Sequence, residues 1–194
     1  MLRTATENDA EKLLEIYSYY VENTAVSFEY EAPSPEEFRQ RIRRTLGGYP
    51  YLVSENGGRI VGYAYAGPFK ERRAYDYAVE TTVYIAKDMR GKGLGRELYT
   101  ALENALALQN IINLNACIGY PEENDTYLTR DSAEFHERMG YSLAGKFHKC
   151  GYKFGKWYDM IWMEKCISEH PSPPQPVRSF DDIRQELAER YGIR

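Results

Sequence analysis

The sequence lacks the patterns that mark several large classes of protein. It has only three cysteines, Cys117, Cys150 and Cys166, with no CxxC pair and no cluster of cysteine and histidine at zinc-ligand spacing. An odd and scattered set of this kind predicts reduced thiols rather than a disulfide framework. We therefore expect neither a metal site nor a disulfide.

Long apolar runs and an excess of positive charge are also absent. No segment approaches the roughly 18 apolar residues that span a bilayer, and residues 1–7 contain no apolar signal core. Lys and Arg number 25 against 29 Asp and Glu, which argues against a nucleic-acid surface with its concentrated positive charge. The expected protein is cytoplasmic, with no membrane and no nucleic acid as partner.

Tyrosine, by contrast, is abundant, with 18 of the 194 residues. Tyrosines serve as strand formers, as walls of binding sites or as proton donors, and composition alone leaves these uses open. Hydrophobic residues make up 43% of the chain, which is too much for a disordered protein, and the length favours one domain.

The hydrophobic periodicity predicts the order strand, two helices, three strands, helix, strand, helix and two strands, which makes a mixed α/β sheet. Ser34-Pro35 gives the sharpest helix start, because serine caps a helix and proline fits its first turn. Residues 51–85 are typical of three strands in an antiparallel meander. The last two strands are expected to be joined by residues 151–156.

The composition changes after Cys166. Residues 168–194 begin with a proline-rich linker and continue with a helix that Ser179 can cap. This segment is too small to fold alone. We expect it to pack on the main domain, residues 1–167, or on a second subunit, or to stay loose.

A glycine-rich turn, residues 90–95 (RGKGLG), lies between a predicted strand ending at Ile85 and a predicted helix. Backbone N–H groups at a helix N-terminus bind phosphate oxygens. A Walker loop is excluded because no GxxxxGK[ST] is present, and the spacing G-x-G-x-G differs from the dinucleotide fingerprint G-x-G-x-x-G. A nicotinamide-dependent oxidoreductase is therefore disfavoured, whereas a plain tight turn remains an alternative.

Together with Val83-Tyr84-Ile85, the run Arg90-x-x-Gly93-x-Gly95 resembles the acetyl-CoA signature of the GCN5-related N-acetyltransferases. Further stretches are similar to the phosphinothricin-type acetyltransferases of that family. They are Phe28-Glu29, GYAYA at 62–66 with Lys70, Arg72 and AYD at 74–76, VETTVY at 79–84, and FHERMGY at 135–141 followed by GYK at 151–153.

The resemblance implies a mixed α/β (α+β) fold whose mostly antiparallel central sheet is flanked by helices, with acetyl-CoA bound at splayed strands 4 and 5. It also implies a homodimer and a set of residues that bind the coenzyme. Those residues are Val83, Tyr84 and Ile85 at the pantetheine arm and Arg90, Gly91, Lys92, Gly93, Leu94, Gly95 and Arg96 at the pyrophosphate. Thr129 stands where related enzymes carry an asparagine, so Asn124 and Asp131 are candidates for the missing contact.

Acetyl transfer to an amine needs a base, since amines are mostly protonated at neutral pH. Glu80 lies in a β-forming run, where alternation would turn it toward the cleft or toward solvent. The resemblance to the acetyltransferases favours a Glu80 that faces the cleft and acts as the base. His136 stands where related enzymes often carry a tyrosine that acts as the general acid. It is either a proton shuttle with a pKa near 6.5 or a packing residue. Tyr141 is the second candidate for the general acid.

The acceptor is expected to be a small amino-acid-like amine of the phosphinothricin or methionine sulfoximine type. The candidate walls are aromatic: Phe28, Tyr63, Tyr75 and Tyr152. Arg72, in the charged loop with Lys70 and Arg73, is the candidate for a carboxylate or phosphinate. Alternatives are an acetyltransferase for polyamines or protein N-termini, and a catalytically silent CoA-binding module.

Overall fold

The computed structural model describes all 194 residues and places seven strands in one sheet with helices on both faces. The strands are β1 Leu2–Thr4, β2 Tyr51–Asn56, β3 Arg59–Pro68, β4 Ala78–Ile85, β5 Asn113–Tyr120, β6 Ser142–Lys153 and β7 Lys156–Cys166. The α-helices are α1 Ala10–Asn23, α2 Pro35–Leu46, α3 Leu94–Leu108, α4 Asp131–Arg138 and α5 Phe180–Tyr191. The sheet order is β1-β2-β3-β4-β5-β7-β6, and β4 and β5 form its one parallel pair. The mixed, mostly antiparallel fold class is thus confirmed.

Local chemistry accounts for the elements that the sequence predicted best. Ser34 Oγ accepts a hydrogen bond from the backbone N–H of Glu37 (3.1 Å), and Pro35 opens α2. The β2–β3 turn uses Gly57 and Gly58 at φ 60° and 79°, a region open to glycine at little cost. The predicted helix start and meander are therefore confirmed.

Two cores hold the sheet. One face packs on α3 and α5 through fully buried side chains such as Leu102 and Ile183. The other face packs on α1 and α2, and its centre is a tyrosine cluster in which Tyr51 stacks on Tyr63 and Tyr65 with ring centroids 5.7 and 4.9 Å apart. Much of the tyrosine excess therefore serves packing.

The sheet opens between β4 and β5. These strands pair only at Ala78–Asn113, Val79–Leu114 and Glu80–Asn115, and beyond Glu80 they run apart. The remaining residues of β4 keep their pairing to β3. The splay expected at strands 4 and 5 is thus confirmed, and it leaves a gap that reaches through the sheet.

The last hairpin differs from the prediction. Residues 151–153 continue β6, and the turn is Phe154-Gly155, with φ of 51° and 75°. Positive φ at both central residues is typical of a tight two-residue hairpin turn. Register shifts within residues 143–151 break the strand alternation, which is why the sequence pattern ended β6 too early.

The segment after β7 runs back along the domain. The side-chain amide of Gln109, fully buried, donates to the carbonyls of Gly48 and Arg178, both at 2.9 Å. Helix α5 then buries Phe180, Ile183 and Leu187 against the first core. None of the helices is both long and apolar enough to cross a membrane.

Candidate active site

A cavity of about 310 Å³ occupies the gap between β4 and β5. The five consecutive residues 80–84 all line it, and since side chains alternate along a strand, the cavity opens on both faces of the sheet. Phe28, Glu80 and Cys117 line the mouth on one face, whereas Tyr99 and His136 line the other. The cavity is therefore a passage through the sheet.

Backbone groups of β4 face this passage. The N–H of Phe69 donates to the carbonyl of Ala78 (3.3 Å) across the β3–β4 pair, and hydrogen-bonded positions then recur at every second residue. Tyr84 therefore bonds to β3, while the backbone groups of Val83 and Ile85 point into the gap. The carbonyl of Ile85 accepts from the hydroxyl of Tyr20 (2.5 Å), and Val83 is left free to bind an amide-containing arm.

The glycine-rich turn forms an open helix N-terminus beside the passage. Gly91 and Gly93 have φ of 73° and 82°, and Gly93 caps α3 without any side-chain bond. The N–H groups of Leu94, Gly95 and Arg96 have no protein acceptor. Oriented free donors at a helix N-terminus suit a pyrophosphate, so the turn fits the coenzyme.

Charged side chains surround this turn. Arg90 forms an exposed ion pair with Asp131 (3.1 Å), and Lys92 Nζ donates to the carbonyl of Asp88 (3.1 Å). Asn124 is engaged within its own loop, since its Oδ1 accepts from the backbone N–H of Arg130 (2.9 Å). Asn124 does not line the passage.

Glu80 sits where the two strands begin to separate, opposite Asn115. Its carboxylate faces the passage and is engaged by no hydrogen bond or ion pair. Burial raises the pKa of the Glu80 carboxyl above its ordinary value, and the ammonium of Lys70 opposes that shift with a smaller effect. Such a carboxylate is a better proton acceptor than an exposed glutamate.

His136 lies on α4, is 4% exposed and contributes to the opposite wall. Its Nδ1 donates to the carbonyl oxygen of Ser132 (2.7 Å), so Nε2 accepts from the hydroxyl of Tyr99 (2.9 Å). Burial lowers the pKa of His136 to about 4, and the imidazole is neutral at pH 7. Of the two alternatives that the sequence left open for His136, this environment favours the hydrogen-bonded packing residue over a proton shuttle with a pKa near 6.5.

The tyrosines beside His136 belong to one buried network. Thr81 Oγ1 donates to the carbonyl of Asn115 (3.2 Å) and lies 3.1 Å from the hydroxyl of Tyr141. Burial raises the pKa of Tyr141 and raises that of Tyr99 well above its ordinary value, so both phenols stay protonated. They are hydrogen-bond donors at any physiological pH.

The residues expected at the acceptor site do not all lie together in the structure. The Phe28 ring lies over Gly151, where an added Cβ would sit 2.3 Å from the ring, so only glycine allows this close packing. Tyr75 lies farther along the same face, packed on Phe69 with centroids 6.0 Å apart. Arg72 is exposed at the start of the short turn Arg73–Tyr75 and does not reach the passage.

Sequence reasoning missed two participants. Tyr99 was not singled out, although it lies on the buried stripe of α3, where a hydroxyl needs a partner. Lys70 was only one cation among several, yet its Nζ lies over the rings of Phe69 and Trp162 (4.8 and 5.5 Å) and influences Glu80. No sequence signal separates Lys70 from Arg72.

No group of three or more His, Cys, Asp or Glu side chains could hold a metal.

A phosphate-binding helix start beside a passage through a splayed sheet defines an acetyl-CoA-dependent N-acetyltransferase. Residues 2–162 match a family model described as an acetyltransferase (GNAT) domain, and the chain belongs to that family. It is 37% identical over 182 residues to a phosphinothricin N-acetyltransferase of Streptomyces viridochromogenes, covering 94% of this chain and 95% of the relative.

Two further comparisons agree. The chain is 30% identical to an L-methionine sulfoximine/L-methionine sulfone acetyltransferase of Salmonella typhimurium, with 89% of this chain and 97% of the relative covered. The fold matches a phosphinothricin acetyltransferase from Sinorhizobium meliloti in complex with AcCoA, with a TM-score of 0.82 and 30% identity over 92% and 93% of the two chains.

Proposed function

We propose that the protein transfers the acetyl group of acetyl-CoA to the primary amine of a small amino-acid-like compound of the phosphinothricin or methionine sulfoximine type. The passage through the sheet carries this proposal, because it joins a coenzyme-binding side to a side that holds Glu80. The names of the relatives support the class of acceptor.

Glu80 is the proposed general base. It removes a proton from the acceptor ammonium, directly or through one water, and the neutral amine attacks the thioester carbonyl. Acetyl-CoA supplies the acyl group and a thiolate leaving group. The C–N bond forms and the C–S bond breaks. Of the three protons of the ammonium, Glu80 takes one, the amide nitrogen keeps one, and the third passes, directly or through water, to the departing sulfur, which leaves as the thiol on the side of Tyr99 and His136.

Transfer is proposed to be direct rather than through an acetylated cysteine. Cys117 lines the passage beside Glu80 and is the one thiol that could compete. Partial burial raises the pKa of the Cys117 thiol to about 11, so it stays protonated and is a poor nucleophile at neutral pH.

His136 is proposed to act in its neutral form, through Tyr99. In the resting structure His136 Nε2 accepts the single hydroxyl proton of Tyr99 and so holds the Tyr99 ring in place; in the transfer step that hydroxyl turns and donates to the leaving sulfur instead. His136→Asn and Tyr99→Phe should each lower kcat about fivefold, as expected for one hydrogen bond of about 1 kcal/mol, and the double variant should lose little more. The pH profile should keep its shape in both, and a limb near pH 6.5 that disappears in His136→Asn would mean that the histidine itself titrates.

The coenzyme is proposed to bind along Val83, Tyr84 and Ile85 and on the turn from Arg90 to Arg96, with Asn124 ordering the loop beside it. Phe28 and Tyr75 are the proposed walls of the acceptor site. Lys70 is the proposed partner of the acceptor carboxylate, since it is the cation whose charge lowers the pKa of Glu80. Arg72, unpaired at the surface, is available to a second anionic group.

A cytoplasmic homodimer is also proposed. The hairpin of β6 and β7 exposes four large apolar side chains, more than a monomer surface usually groups together. They are Leu143, Phe147, Tyr152 and Trp157, between 47% and 62% exposed. A monomer at micromolar concentration in sedimentation equilibrium would contradict the dimer.

The acceptor class is tested by acetyl-CoA-dependent thiol release over amino acids, methionine sulfoximine, phosphinothricin, polyamines and short peptides. We expect saturable release with the amino-acid-like compounds. Release with polyamines or peptides alone would overturn the acceptor class. Binding of acetyl-CoA without release from any amine would instead identify a silent CoA-binding module.

A further inference from the structure

A second depression, a groove of about 500 Å³, adjoins Glu80 on the same face of the sheet. Ala78, two residues before Glu80, lies in its floor together with Asn115 and Glu164. Asn115 is the register partner of both Glu80 and Glu164, so the three side chains form one row across β4, β5 and β7. The groove therefore begins within one residue spacing of the proposed base, about 5 to 7 Å.

Aromatic rings form the wall of the groove nearest to Lys70. Phe69 packs edge-on against Trp162 and Tyr75, with centroids 5.4 and 6.0 Å apart. Lys70 Nζ lies over the rings of Phe69 and Trp162, and its charge also lowers the pKa of Glu80, so it acts on both the groove wall and the proposed base. An amine at Glu80 and a carboxylate at Lys70 would leave the side chain of an α-amino acid directed along these rings.

The segment after β7 closes the far end. His170, Pro171 and Pro174 line the groove there. His170 Nε2 lies 3.0 Å from Asn113 Oδ1, and Asn110 Nδ2 donates to the carbonyl of Pro176 (2.8 Å), which fixes the segment on both sides. These residues follow the 2–162 range that matches the family model.

We infer that the groove binds the side chain of the acceptor, and that the acceptor is an α-amino acid with a large uncharged side chain, best an aromatic one. The inference rests on the proposed function. Stacking on Phe69, Tyr75 and Trp162 favours the binding of a flat or long apolar side chain. An anionic side chain, the phosphinate of phosphinothricin included, meets the carboxylate of Glu164, so that of the two proposed types of acceptor the groove favours the methionine sulfoximine type. A small side chain leaves the groove without contacts.

The first test compares kcat/KM among L-phenylalanine, methionine sulfone, alanine, lysine and glutamate. Phenylalanine and methionine sulfone should exceed alanine by about 10- to 200-fold, the range that added apolar contacts give in a pocket. Ala144 lies on the groove wall, and Ala144→Phe should fill the groove and lower kcat/KM for phenylalanine and methionine sulfone to about the level of alanine. Leu143→Phe, on the neighbouring exposed residue, is the matched control and should change neither.

The second test measures binding without turnover. In Trp157→Phe, Trp162 is the only tryptophan left, and its fluorescence should respond to L-phenylalanine. Ala144→Phe in that background should abolish the response. His170→Ala should weaken the discrimination against side chains longer than phenylalanine, with Glu169→Ala as its control.

The outcomes separate the two proposals. Equal kcat/KM for all side chains, or a preference for lysine or glutamate, would overturn the groove assignment and leave acetyl transfer intact. A fluorescence response that Ala144→Phe removes, without acetyl transfer to any amine, would support the groove and overturn the proposed function. No response and no side-chain preference would overturn the groove directly.

Discussion

Glu80→Gln is expected to lower kcat/KM by about 10²- to 10⁴-fold, the usual contribution of a general base. The amide keeps the size of the side chain but cannot take the proton of the acceptor ammonium. Because no hydrogen bond or ion pair engages the carboxylate, the substitution should leave the fold unchanged. Steady-state kinetics with the best acceptor found in the thiol-release assay provide the measurement.

The pH dependence follows from the direction of the Glu80 shift. Burial raises its pKa, and the base works only when ionised, so activity should fall as the pH drops through a value above the ordinary glutamate pKa of about 4.3. Lys70→Met should move this limb to still higher pH, because it removes the charge that lowers the Glu80 pKa. The acid limb should be absent from Glu80→Gln.

The matched control is Glu134→Gln, an exposed carboxylate on α4 whose ion pair with Arg138 spans 3.5 Å. It should keep kcat/KM within about twofold, as surface pairs contribute little. An acid limb that persists unchanged in Glu80→Gln, or a loss of only a few fold, would assign the proton transfer to another group.

Phe180→Ala is expected to lower the free energy of unfolding by about 3–5 kcal/mol, the cost of emptying a buried aromatic site. Phe180 is fully buried in the first core at the start of α5, with Ile183 and Leu187 beside it. Urea denaturation followed by circular dichroism measures the change, which should appear as a shift of the midpoint without a change in slope.

Tyr191→Ala serves as the control, since Tyr191 lies on the same helix but is 44% exposed. Its effect should stay within about 1 kcal/mol. Equal and small effects of both substitutions would mean that α5 contributes little to the core. Phe180→Ala should also loosen the part of the segment after β7 that lines the groove at His170, because His170 and Phe180 belong to the same segment.

The sequence predicted most where the signal was local. Ser34 and Pro35 start α2 through chemistry confined to four residues, and alternation put Glu80, Thr82 and Tyr84 on one face. The glycine spacing predicted the coenzyme turn, which depends only on local backbone geometry. The splay of strands 4 and 5 was predicted only by the resemblance to the family, since it depends on two strands far apart in the chain.

What the sequence did not predict depends on residues far apart in the chain. Tyr99 and His136 meet only because α3 and α4 lie on the same side of the passage, and burial then changes the pKa of the histidine. The structure distinguishes Lys70 from Arg72 because the Lys70 ammonium lies over the rings of Phe69 and Trp162. Tyr63, expected at the cleft, is instead 1% exposed within the tyrosine cluster, since β-propensity does not say which face is covered.

The passage through the sheet also bears on the order in which substrates bind. In the proposed arrangement the coenzyme would enter beside α3, and the acceptor would enter from the opposite face beside Phe28. Neither molecule closes the mouth that the other uses, so either can bind first and either product can leave first. Initial rates with both concentrations varied should therefore give intersecting lines, the pattern of a ternary complex. Random order should then appear in product inhibition, where each product competes with the substrate that shares its mouth.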